Sequence, residues 1–73
     1  MPPTVEQWLN AFAVELGLEA PSPADIEAVL ALASVAAHDS ERAAAPVATW
    51  LAARAGVAPH EARERAERLG FST

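Results

Sequence analysis

The sequence contains three glycines, and each stands between a helix-forming stretch and an apolar residue: Leu16-Gly17-Leu18, Ala55-Gly56-Val57 and Leu69-Gly70-Phe71. Glycine enters the left-handed conformation that ends many α-helices without the Cβ penalty other residues meet, and the apolar residue after it folds back onto the last turn. Three such stops within 73 residues require at least three helices. The helix starts agree. Thr4 with Gln7 spells a capping box. Ser22, Pro23 and Asp25 supply an N-cap, a proline for the first helical position and a first-turn acid. Pro59 opens a last helix, with Glu61 suited to its positive end.

Between these marks the chain carries 19 alanines, and it is 52% hydrophobic with only Trp8, Phe12, Trp50 and Phe71 as aromatics. That bias favours helices, and no stretch alternates apolar and polar residues for long enough to read as a strand. The sequence predicts an all-α fold, a small orthogonal bundle of four short helices near residues 5–16, 23–37, 46–55 and 59–69. A chain of this size buries only about 60% of its unfolded surface, which leaves room for one core and one helical domain over residues 1–73. There is no cysteine to form a disulfide, and His38 and His60 beside scattered carboxylates spell no metal cage. Stability must come from close helix packing or from a partner chain.

Each segment predicts its own buried face. In the first helix Val5, Trp8, Leu9, Phe12, Ala13 and Leu16 recur at three- and four-residue steps and form one apolar stripe. In the second, Ile26, Val29, Leu30 and Ala33 make a face that Leu32, Val35 and Ala36 widen nearly all round, as expected of a central helix. A polar connection from His38 to Ala45 leads to a third helix that opens near Pro46 and carries Val47, Trp50 and Leu51. The fourth has only Ala62, Ala66 and Leu69 on its apolar side, with Glu61–Arg65 and Glu64–Arg68 pairs at four-residue spacing on the other. Val57 and Phe71 are expected to pin its two ends. Trp8-Leu9 leading to Gly17-Leu18 and Pro21 resembles Trp50-Leu51 leading to Gly56-Val57 and Pro59, which we read as shared helix grammar rather than duplication.

Charge is unevenly placed. Residues 1–41 hold seven acids and no base, residues 42–73 five arginines and three glutamates, and the formal net charge is -5. The asymmetry reads either as a polarised surface that steers a partner or as two solvated helix faces. The acidic balance argues against nucleic acid and membrane as partners, and Arg63, Arg65 and Arg68 are diluted by Glu61, Glu64 and Glu67. The uncharged run between Arg42 and Arg54 is interrupted by Pro46 and is too short to span a bilayer. Met1-Pro2-Pro3 has no positive charge and leads into an acidic amphipathic segment, so no signal peptide is read and the cytoplasm is expected.

No nucleophile stands beside a base, and no glycine-rich phosphate loop or metal-ligand spacing occurs. No catalytic, cofactor-binding or metal-binding residue is therefore nominated, and no cofactor. His38, with Asp39, Glu41 and Arg42, is the most concentrated polar group, and its imidazole reads as a helix-end cap or an interface contact. His60 reads as exposed, and the acids Glu15, Glu19, Asp25 and Glu27 as solubilising. Trp8 and Trp50 have two readings: core anchors with one edge wet, or an exposed aromatic patch that binds a partner or a second copy.

Trp8-Leu9, Glu15-Leu16-Gly17-Leu18, and His38 followed by Arg42 and Ala44-Ala45-Pro46-Val47 together resemble a small actinobacterial helical domain family of uncharacterised function. That family occurs alone and, in some proteins, alongside the molybdenum-cofactor guanylyltransferase. The resemblance covers most of residues 5–55; where the family often has glycine after the histidine and proline after the arginine, this chain has Asp39 and Ala43. It implies a helical accessory module linked to molybdenum enzymes and supplies no catalytic residues. The leading expectation is a non-enzymatic interaction module that binds another protein or a second copy around Trp8 or Trp50, with His38 and Arg42 on the rim. The alternative is a small-ligand or cofactor-handling accessory in which His38 and Arg42 hold an anionic group such as a pterin phosphate.

Overall fold

The computed structural model describes residues 1–71 and contains four helices among them, α1 (Val5–Glu15), α2 (Pro23–Asp39), α3 (Ala44–Ala55) and α4 (Pro59–Glu67), with no strand. The fold is a small all-α bundle. At the head of α1 the Gln7 N–H donates to Thr4 Oγ1 at 3.1 Å while the Thr4 N–H donates to Gln7 Oε1 at 2.9 Å, so both partners of the capping box are engaged. The Asp25 N–H donates to Ser22 Oγ at 3.0 Å, and Pro23 and Pro59 occupy first-turn positions of α2 and α4.

Two glycine stops close fully. Gly17, at φ +72°, lets the Leu18 N–H donate to the Ala13 carbonyl at 2.8 Å, and Gly56, at φ +69°, lets the Val57 N–H donate to the Ala52 carbonyl at 3.2 Å. The third is shorter. Gly70 donates to the Glu67 carbonyl at 3.3 Å, but Phe71 stays exposed, so the expectation that Phe71 pins the end of α4 does not hold. Phe71 stands at the mouth of a cavity bordered by α2, α3 and the end of α4 without entering it, and Leu69 beside it is likewise exposed.

Four boundaries differ from the sequence reading: the first helix ends at Glu15, with Leu16 as its C-cap, and the other three shift for local reasons. The second helix continues through His38 to Asp39, since nothing between Ala37 and Ser40 breaks it. The third begins at Ala44 rather than Pro46; a proline within the first turn removes only an N–H that has no intrahelical acceptor there, so the helix starts ahead of it. No side chain caps this start. The fourth ends at Glu67, and the ion pairs on it are Glu61–Arg65 at 2.7 Å and Arg63–Glu67 at 3.7 Å. Among the described residues no Glu64–Arg68 ion pair forms, although the Arg68 N–H donates to the Glu64 carbonyl at 3.2 Å.

Helix α2 is central, packing along α3 and along α4, while α3 and α4 touch each other only briefly. Its middle residue, Leu32, is 4% exposed, and the neighbours are mostly alanines, Ala48 and Ala52 from α3 and Ala62 and Ala66 from α4. Small side chains let these backbones approach closely. Helix α1 stands apart: none of its Cα atoms comes within 8 Å of a Cα in another helix.

The resulting core is thin. Only Ala13, Leu32 and Ala62 are buried among the described residues. The accessible surface is 5822 Å², whereas folded monomers of this mass expose about 4,300 Å². The radius of gyration, 13.1 Å, likewise exceeds the roughly 11 Å of a compact chain of this length.

Candidate interaction surface

The α1 stripe is split lengthwise. Ala13 is buried and Leu9 half-buried on one edge, while Trp8 and Phe12 on the other are 54% and 45% exposed. Their rings lie against each other with centroids 5.0 Å apart and planes tilted by 36°. Such a pair adds about 1 kcal/mol beyond area burial and holds both rings in one orientation. The capping box and the Leu18 bond fix both ends of α1, so the aromatic face is presented by a rigid helix.

Between α1 and α2 runs a groove of about 390 Å³, lined by Val5 and Leu9 on one side and Ile26, Val29 and Leu30 on the other, with Pro21 at its end. The lining is apolar except for Asp25. Leu30 is also well exposed, which extends the apolar surface onto the open side of α2.

Trp50 lies on a second, separate surface. It is 56% exposed, flanked by exposed Val47 and Leu51, and the Arg54 guanidinium stands 4.9 Å from its ring centroid. This cation–π contact covers one face of the indole. The reading of the tryptophans as core anchors is therefore corrected for both. Helices α3 and α4 meet α2 through alanines around Leu32, and both indoles lie outside that contact. Nor are the two residues neighbours, since α1 and α3 do not approach.

His38 is exposed in the last turn of α2 and Arg42 is exposed in the turn before α3; among the described residues, neither makes a side-chain hydrogen bond or ion pair. The residue of this segment that turns inward is Asp39. It borders a cavity of about 370 Å³ formed by the end of α2, the start of α3 and the end of α4, and its Oδ1 is buried with no hydrogen-bond partner. Leu32, Val35, Ala36 and Asp39 recur at three- and four-residue steps, so extending α2 by two residues would have placed Asp39 on the buried face from the sequence. No group of histidines and carboxylates able to hold a metal ion is present among the described residues, and no helix is long and apolar enough to cross a membrane.

Fold and surface together define a small helical domain that packs on alanines and carries its large apolar side chains outside. The chain belongs to the family described as a domain of unknown function, DUF6457, whose family model matches residues 1–70. No curated protein and no solved structure matches it.

Proposed function

We propose that the domain is a non-enzymatic interaction module that docks onto another protein through the aromatic face of α1. The observation that carries this is the exposure of Val5, Trp8 and Phe12 along one helix with Leu30 across from it, in a chain whose surface as a whole exceeds that of a folded monomer of this mass by roughly 1,500 Å². A standard interface takes about 800 Å² from each partner, so the excess is ample for one. Exposed Trp and Phe on a rigid helix are the residue types that dominate binding energy at such surfaces.

Several finer elements of the reading go with it. The resemblance of Trp8-Leu9, Glu15-Leu16-Gly17-Leu18 and His38 to Arg42 supports an actinobacterial accessory domain that works beside molybdenum-cofactor enzymes in the cytoplasm. The net charge of -5 supports a protein partner over nucleic acid. The rival, an anion-handling accessory built on His38 and Arg42, finds less support. Neither residue lines the cavity at the end of α2, and that cavity presents the Asp39 carboxylate, which repels anions.

Co-purification from the native host with the wild-type chain and a Trp8→Ala/Phe12→Ala variant tests the proposal. A partner captured by the first and lost by the second, with unchanged helical circular dichroism, is the expected result. A strict monomer at micromolar concentration that captures nothing would sink it.

A further inference from the structure

The proposed interaction leaves the chemistry of the partner open, and the groove beside α1 narrows it. Its walls, Val5 and Leu9 against Ile26, Val29 and Leu30, form an apolar trough between two helices, and Trp8 and Phe12 follow Val5 and Leu9 by three residues each on α1. The two helices that form it carry charge of one sign, Glu6 and Glu15 on α1 and Asp25, Glu27 and Asp39 on α2, with no lysine or arginine. Residues 1–41 carry seven acids and no base: Asp25 borders the groove itself, Glu6 adjoins Val5 and Glu27 adjoins Ile26 in the chain. A second copy docked by the same face would set these acids against their own duplicates, and like charges brought together at an interface discriminate against such a pairing.

We infer that the groove receives an amphipathic helix of a partner protein, with apolar residues at i, i+3 or i+4, and i+7 in the trough and lysines or arginines along both edges. This rests on the interaction reading and specifies its occupant. An apolar helix stripe in a trough between two helices is a recurring mode of recognition, in which the spaced apolar anchors supply affinity. The carboxylates here supply selectivity and rate, because an acidic rim attracts a basic helix at distance and repels an acidic one.

The experiment uses the full chain with Trp50→Phe, so that Trp8 is the sole indole, and two synthetic helical peptides of about 18 residues, or five turns. Both carry the same leucine stripe; one has lysine flanks, the other glutamate. The lysine peptide should shift Trp8 emission to the blue saturably, weaken as salt is raised, and bind about tenfold or more tightly than the glutamate peptide. Leu30→Ser, which removes apolar wall without changing charge at a 60% exposed position, should weaken it by a similar factor, with helical circular dichroism unchanged. Glu6→Gln/Asp25→Asn/Glu27→Gln should bring the two peptides to within about twofold of each other. Equal binding of both peptides to the parent chain, or indifference to Leu30→Ser, overturns the inference. Sedimentation separates its failure from that of the broader reading. Self-association that neither peptide disturbs would refute the basic helix while keeping an interaction module, whereas a monomer that binds neither peptide and captures no host protein would refute both.

Discussion

Helix α1 and the α2–α4 unit contrast in where they place large side chains. The unit packs through Leu32 and a set of alanines, which bury little area each but let three helices close on one another. Helix α1 carries Val5, Trp8, Leu9 and Phe12, a stronger apolar stripe by residue size, and remains the less covered element. Hydrophobic size alone does not send a residue inside. Packing needs a complementary space, and an alanine-lined interface offers none for an indole. The same contrast supplies the proposed docking surface, since large aromatic side chains left uncovered are the kind that interfaces favour.

The comparison can be broken most sharply at its two apolar centres. Leu32→Ala should destabilise the chain by about 3 kcal/mol, read as a fall in the urea midpoint, because the side chain is nearly enclosed and its removal leaves a void between three helices. Trp8→Ala should cost less, about 1 to 2 kcal/mol in the same measurement, since it loses the pair with Phe12 but more than half of the indole is already in water. Equal losses at the two positions would place Trp8 in the core and undo the contrast.

Glycine stops offer a second test. A Cβ at Gly17 or Gly56 would meet nothing within 4 Å, so alanine there exacts only the cost of the left-handed backbone, about 1 kcal/mol. Gly56→Ala should lower global stability by that amount, because α3 belongs to the packed unit. Gly17→Ala should instead raise amide exchange within α1 while amides of α2 near Leu32 keep their protection. Exchange rising together in both helices would show α1 to be part of one cooperative unit.

A gain is expected at Asp39. Its Oδ1 is buried without a partner, and its charge sits at the negative end of α2, so both its burial and its place are unfavourable. Asp39→Leu, which continues the Leu32, Val35 and Ala36 face, should stabilise by about 1 kcal/mol in thermal or urea unfolding. A loss would mean that the carboxylate has a role in folding which its unpaired oxygen does not reveal. The smallest effect belongs to the surface of α4. Arg65→Gln removes the 2.7 Å pair with Glu61, but both side chains are about half exposed, and the change should amount to a few tenths of a kcal/mol, fading at high salt.

The local grammar of this chain was legible without coordinates. Thr4 with Gln7, Ser22 with Pro23, and the three glycines mark where helices begin and end, because capping depends on residues a few positions apart and on backbone freedom at one of them. The centrality of α2 was legible too, from an apolar surface that runs nearly all round it. Asp39 was missed because helix ends fray and shift by a residue or two, and two residues decided whether it joined the buried face.

The sequence by itself determined that there would be four helices of about these lengths, that one would lie between others, and that acid would gather in the first half of the chain. Only the tertiary structure decided that α1 stands off, that Trp8 and Trp50 occupy separate open surfaces, and that Asp39 rather than His38 or Arg42 turns inward. The reason is physical. Caps and periodicity act within one or two turns of helix, whereas the side of an apolar stripe that becomes covered depends on which neighbouring backbone can come close enough. Here closeness was governed by alanines on α3 and α4, far along the chain from the residues whose exposure they decide.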